Sequence, residues 1–209
     1  MNFSLDRDLL AYEPMVFVDV PFAAQERVSV SDGVLDGTML SSLTAEFVSR
    51  GVDPGSVVLI NRVAHEVIAV TDEGTLEITG VRNAGDDACS ASFDGEGLSV
   101  IVRTFAPQAA LVHDLLLRLL GLEGEGGLNE DAVVSLGSMA RLECLGALEL
   151  IYSAAVSMGS QDEALLTKAT LYRERFRRAC RATSIEVDVD GDGRADERRR
   201  LGLISLFRV

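Results

Sequence analysis

The chain of 209 residues has no run of the roughly 18 uncharged apolar residues needed to cross a bilayer, which excludes a spanning helix. Its first residues, MNFSLDRDLL, lack the basic start and apolar stretch of a secretory signal, so a cytoplasmic origin is the expectation. Cysteine is scarce. Cys89, Cys144 and Cys180 are far apart, odd in number and outside any paired motif, the pattern of buried free thiols rather than disulfides or metal ligands. Histidine is scarcer still. His65-Glu66 lacks the second histidine of an HExxH zinc helix and falls in a strand pattern, which favours a structural or surface histidine. His113 adjoins Asp114, but neighbours on a helix diverge by roughly 100° and do not form a dyad. There is no G-x-S-x-G elbow, and the glycine-rich stretch 121–127 has no Lys-Ser/Thr for a phosphate loop. These absences point away from an enzyme. Lysine is almost missing too: Lys168 stands alone beside 18 arginines.

What is present is enough apolar residue, 47%, for a real core in one large domain or two small ones. The net charge of −14 is unevenly placed. Residues 1–170 carry 9 basic and 26 acidic side chains, a net of −17, whereas 171–209 carry 10 and 7, a net of +3. Such asymmetry predicts two surfaces with different roles. An acidic body disfavours phosphate contact, yet a like-charged wall suits a conduit through which DNA slides without sticking.

Periodicity and turn residues divide the chain into four parts: an N-terminal arm over 1–24, an antiparallel β domain over 25–104, a helical domain over 105–182 and a β-hairpin over 183–209. In the arm, Leu5 to Tyr12 predicts one or two helical turns stopped at Glu13-Pro14. Strands are expected at Val28–Val30, Val57–Ile60, Glu66–Val70, Thr75–Thr79 and Ser99–Arg103. Asp32-Gly33, Asp36-Gly37, Asp53-Pro54-Gly55 and Glu73-Gly74 are the turns between them, and the unit is a small barrel or sandwich. Leu43 to Arg50 reads as one short helix, and Gly80 to Gly97 as an exposed excursion. Helices follow over Ala110–Leu120, Ala132–Ala155 and Asp162–Ala182, the last two separate or interrupted near Gly159-Ser160. In the last helix Leu165, Ala169, Tyr172, Phe176 and Ala179 form an apolar face, opposite Arg173, Arg177, Arg178 and Arg181. That cationic face is read as a solvated surface, a phosphate strip or the contact for an acidic neighbouring subunit.

Near the C-terminus, DVDGDGRADE (Asp188–Glu197) places Asp188, Asp190, Asp192 and Asp196 at places 1, 3, 5 and 9 of an EF-hand-like calcium loop, with Gly193 at place 6. Place 12, where a bidentate Glu should close the shell, is Arg199, inside Arg198–Arg200. Before the loop, Ile185, Val187 and Val189 alternate with Glu186, Asp188 and Asp190, a strand period. The segment is therefore a hairpin, returning along Leu201–Val209, and two readings of its tip stay open. It is a Ca²⁺-clamped turn, or an Asp/Gly turn in which Gly191 and Gly193 supply positive φ.

Three segments together resemble the head-to-tail adaptor (connector) proteins of tailed bacteriophages and related gene-transfer particles. They are RLECLGALELIYSAAVSMG (Arg141–Gly159) leading to KATLYRERFRRA (Lys168–Ala179), with its Tyr172-Arg173-x-x-Phe176 pattern; the opening RDLLAYEPMVFVDVPF (Arg7–Phe22); and the terminal hairpin. The simplest adaptors are mostly helical, so the strand-rich segment 27–104 departs from their pattern; the expected chain is α+β, a helical adaptor core with an inserted small antiparallel β domain, a barrel or sandwich serving as decoration or contact, and a C-terminal hairpin. The resemblance implies a non-enzymatic virion protein of the neck, assembled in the host cytoplasm into a homo-oligomeric ring, commonly a dodecamer. The ring docks under the portal protein, passes DNA without reading sequence, and presents a surface to a stopper or tail protein. The interface residues would be Tyr172, Arg173, Phe176, Arg177, Arg178 and Arg181, with the N-terminal arm and the hairpin embracing neighbours. The other reading is a calcium-binding adhesion or tail-associated module centred on the aspartate loop.

Overall fold

The computed structural model describes residues 2–80, 94–122, 128–158 and 162–201. Within these the chain is α+β, with five α-helices, a closed six-stranded antiparallel barrel and a two-stranded hairpin. It divides into two compact units, Leu5–Phe105 and Met1–Ser4 with Ala106–Val209. The first unit thus interrupts the second in sequence.

In the barrel unit, β1 (Glu26–Asp36), β2 (Met39–Ser41), β3 (Val57–Ile60), β4 (Val63–Asp72), β5 (Thr75–Thr79) and β6 (Gly95–Arg103) run in the order β1-β2-β5-β4-β3-β6, and β1 pairs β6 to close the ring. Closure makes this a barrel rather than a sandwich and removes the exposed sheet edge. The interior is filled by alternate residues such as Val58, Ile60, Val100 and Val102. Asp32-Gly33 is not the turn that its residue types suggest. It lies inside β1 at a register shift opposite Leu98, and a Cβ on Gly33 would collide with a Val100 methyl. Gly95 to Gly97, expected in the excursion, begin β6; residues 81–93 of that excursion lie outside the described residues.

Leu43–Arg50 does not form the expected helix but a series of turns. An eight-residue helix cannot hold itself without a packed face, and here the apolar residues are spent differently. Ala45, Phe47 and Val52 plug the barrel core, while the backbone is held from outside: Phe47 N–H donates to the Glu73 carbonyl and Ser49 N–H to the Glu73 carboxylate.

The N-terminal arm is helical, with α1 (Asp6–Tyr12) and the single turn α2 (Val16–Asp19), but it does not reach outward. Leu9, Leu10, Val16 and Phe17 are buried within the barrel unit, and Phe17 meets Phe105 at 5.0 Å between ring centroids. Both helices of the arm pack against β3 of their own barrel.

The helical unit contains α3 (Ala106–Leu120), α4 (Leu136–Ser157), α5 (Glu163–Ala182) and the hairpin β7 (Ser184–Val187) with β8 (Glu197–Arg200). Asp162 caps α5 by accepting from Ala164 N–H at 2.9 Å, so the last two helices are separate. Gly146 on α4 lets α3 approach closely, since a Cβ there would lie 2.6 Å from Val112. Tyr152 of α4 and Tyr172 of α5 stack at 5.7 Å, both fully buried. The hairpin returns along Glu197–Arg200, not along Leu201–Val209: Arg200 pairs Ser184 and Glu197 pairs Val187. Ile185 and Val187 face the core with Leu116 and Leu120, leaving Glu186 and Arg198 to pair on the outer side. Residues 202–209 lie outside the described residues.

Candidate functional site

Of the four aspartates, three converge. Asp188, Asp190 and Asp196 each place a carboxylate oxygen within 4.8 Å of the others, a spacing compatible with a common cation held at about 2.3–2.6 Å. Asp192 is not among them; its carboxylate accepts from Arg194 N–H at 2.8 Å. The loop is also organised by its own carboxylates. Asp188 accepts from Gly193 N–H and Gly191 N–H, both at 2.7 Å, and Asp196 accepts from Val189 N–H at 2.9 Å. The N–H of Gly193, above all, holds the Asp188 carboxyl below the usual range. Gly191 and Gly193 adopt φ of 82° and 83°, as the spacing predicts.

Two of the three arginines that should repel a cation are occupied elsewhere. Arg198 binds Glu186 at 2.7 Å, and Arg199 donates to the Leu120 carbonyl at 2.7 Å while pairing Glu197. The root of the hairpin is fixed: Val134 N–H donates to Glu186 O, Asp188 N–H to Ala132 O, and Glu186 N–H to the Ser135 hydroxyl. Beyond that root the tip, residues 189–196, is exposed.

The cationic set on α5 separates into two kinds. Tyr172 is 1% exposed and Phe176 is half-buried against the helical core, so both belong to the inside of the unit. Arg173 is exposed and binds Glu149 of α4 at 3.1 Å. Arg177, Arg178 and Arg181 line a shallow groove with Glu174 and Ala182, and have no partner among the described residues.

A third cluster was not legible in the spacing. Glu143 of α4, with no exposed surface, accepts from Phe3 N–H and Ser4 N–H at 3.1 Å each and from the Ser4 hydroxyl at 2.7 Å. Its other neighbour is His113, whose Nδ1 lies 3.2 Å away; Nε2 lies 3.0 Å from Glu130. Each ring nitrogen of His113 thus faces a carboxylate oxygen, one from Glu143 and one from Glu130. The ring nitrogens point apart, so the set cannot share one metal ion. Its role is to fasten Phe3 and Ser4 beside α4. The sequence signal was only a charged residue amid the apolar run of α4.

His65 is buried in β4, and burial lowers its pKa. Cys144 and Cys180 are in no disulfide, and burial pushes the Cys180 thiol up to about 11. Cys89 lies outside the described residues. No helix among the described residues is long and apolar enough to cross a membrane. Compared with protein families, curated proteins and solved structures, the chain gives no match.

Proposed function

We propose that the chain is a structural subunit of a homo-oligomeric ring, a head-to-tail adaptor of a phage or gene-transfer particle. The ring docks under a portal, continues its DNA channel and offers a surface to a stopper or tail protein. The observation that carries this reading is the division of charge between the two units. The barrel unit holds 17 acidic and 6 basic side chains, a net of −11, whereas the helical unit presents Arg177, Arg178 and Arg181 without partners among the described residues. Unpaired guanidinium groups on one unit and excess carboxylate on the other suit contact between copies. Acidic walls suit the passage of DNA.

Native mass spectrometry and sedimentation test it. Ring-sized species are expected at low salt, with association weakening several-fold between about 50 and 500 mM salt, because the contacts are partly exposed ion pairs. A chain that stays monomeric at every salt, with portal protein present, overturns the reading.

The convergence of Asp188, Asp190 and Asp196 favours a second reading, a calcium-binding adhesion or tail-associated module. On that reading millimolar Ca²⁺ slows amide exchange at Gly191 and Gly193 at least tenfold. Asp190→Ala and Asp196→Ala remove the response, and Asp192→Ala keeps it. Unchanged exchange in the parent chain rejects an ion at this loop.

A further inference from the structure

The turn joining β3 to β4 is a two-residue hairpin, Asn61-Arg62, in which both residues have positive φ, 49° and 68°. The second place of such a turn is normally glycine, because side chains other than Asn or Asp rarely adopt the left-handed region. Asn61 is locked by Ser99, whose N–H donates to its side chain at 3.1 Å. Arg62 is exposed and has no side-chain partner among the described residues.

Arg62 does line a cavity of about 280 Å³ with Val18, Pro21, Leu59, Ile101 and Arg103. Leu59 and Ile101 are cross-strand partners on the outer face of β3 and β6, where the cover provided by α2 ends. Arg103 donates to the Phe17 carbonyl and to Glu26, yet its Nε is buried without an acceptor. The pocket therefore has an apolar floor and two guanidinium groups, of which that of Arg62 has no partner among the described residues. It calls for an apolar group flanked by carboxylates.

The barrel itself carries such a group. Leu43 is 99% exposed, but its loop is firmly held. Asp32 accepts from the hydroxyls of Ser42 and Thr44 at 2.6 and 3.0 Å and from Leu43 N–H at 3.0 Å, and Glu73 accepts from Ser49 N–H and its hydroxyl. A large apolar side chain on a loop already ordered loses little entropy on docking. The carboxylates of this loop and its anchors are Asp32, Glu73 and Glu46, the last paired with Arg50 at 3.3 Å. Leu43 follows β2 and its loop bonds to the β4–β5 turn, through Ser42 N–H to Gly74 O. In the ring β1-β2-β5-β4-β3-β6 the β2–β5 pair lies across the barrel from β3–β6, where the pocket is.

We propose that the barrel of one copy docks head to tail on the barrel of the next, Leu43 of one entering the Leu59/Ile101 pocket of the other between Arg62 and Arg103. The carboxylates beside Leu43 then face the two arginines. Knob and pocket are different surfaces of one unit, so their meeting is a heterologous contact, the kind that closes into a ring or runs on as a filament. The contact rests on the ring reading above and adds the residues that join barrel to barrel.

Sedimentation of the full chain tests it with Leu43→Asp and Arg62→Glu, both at exposed side chains. Each is expected to weaken self-association at least tenfold with the melting temperature of the barrel unchanged. An equimolar mixture of the two regains association but stops at dimers, because the intact pocket of the first accepts the intact knob of the second. Arg62→Gly suits the turn better than arginine; it should raise the melting temperature while weakening association, which separates docking from folding. Rings that persist through Leu43→Asp with undiminished affinity, or a mixture that stays monomeric, overturn this contact and leave the ring reading standing. A parent chain that never associates overturns both.

Discussion

Replacing Glu143 by alanine is expected to cost the helical unit about 3–5 kcal/mol, the range for removing one partner of a buried charged network. The carboxylate serves two backbone N–H groups, a hydroxyl and an imidazole at once, all of them buried or part-buried. With the acceptor gone each donor is left desolvated, at about 1–3 kcal/mol apiece before relaxation. A domain with a total stability of about 5–15 kcal/mol loses a large fraction of it. Glu143→Gln should cost less: its oxygen can still serve Ser4, while its amide nitrogen meets Phe3 N–H donor to donor. Ser4→Ala should cost least, since one hydroxyl disappears together with its need. Amide exchange of α4 and urea midpoints of the helical unit should rank the three variants Glu143→Ala, Glu143→Gln and Ser4→Ala from least to most stable. A loss below about 1 kcal/mol in Glu143→Ala, no more than an ordinary single hydrogen bond contributes, would refute the role assigned to this carboxylate.

The second large effect is a pH dependence in the barrel unit, from Asp6 at the start of α1. Burial raises its pKa from 3.8 to about 6, against the opposing pull of Phe105 N–H, Thr104 and Arg27. A carboxyl whose folded pKa lies above its unfolded one binds its proton more tightly when folded. Its stabilising contribution is therefore complete below about pH 4, falls as pH rises through about 6, and is absent above about 7. A shift of about two units corresponds to about 3 kcal/mol. Asp6→Asn keeps an oxygen for the Phe105 N–H, which now donates at 2.8 Å, and removes the charge. The variant should be more stable than the parent at about pH 7.5 by up to about 3 kcal/mol and nearly equal to it at about pH 4. Taking the difference between the two proteins cancels His65, whose lowered pKa works in the opposite direction by opposing charge at low pH. A pH-independent difference between parent and Asp6→Asn would exclude the assignment.

The strands around Val57–Ile60, Thr75–Thr79 and Ser99–Arg103, and the three long helices, were legible because apolar period and turn residues act over a few neighbours. The same holds for the aspartate loop, where Gly191 and Gly193 take the positive φ that their spacing demands. β2 was not legible, being three residues long and existing only through its partners in β1 and β5. Leu43–Arg50 carries helical spacing, yet the open end of the barrel takes Phe47 and Ala45, and long-range burial outweighs a weak local preference.

Sites divide in the same way. Composition and period by themselves determined the α+β character, the cationic side of α5 and the carboxylates of the hairpin, since these depend on residue type and local spacing. Tertiary structure alone decided that Asp192 leaves the cluster of Asp188, Asp190 and Asp196, and that Glu143 reaches His113 and Ser4. Those facts join residues up to 139 positions apart, and no local energy along the chain encodes a meeting that only closure of the fold brings about.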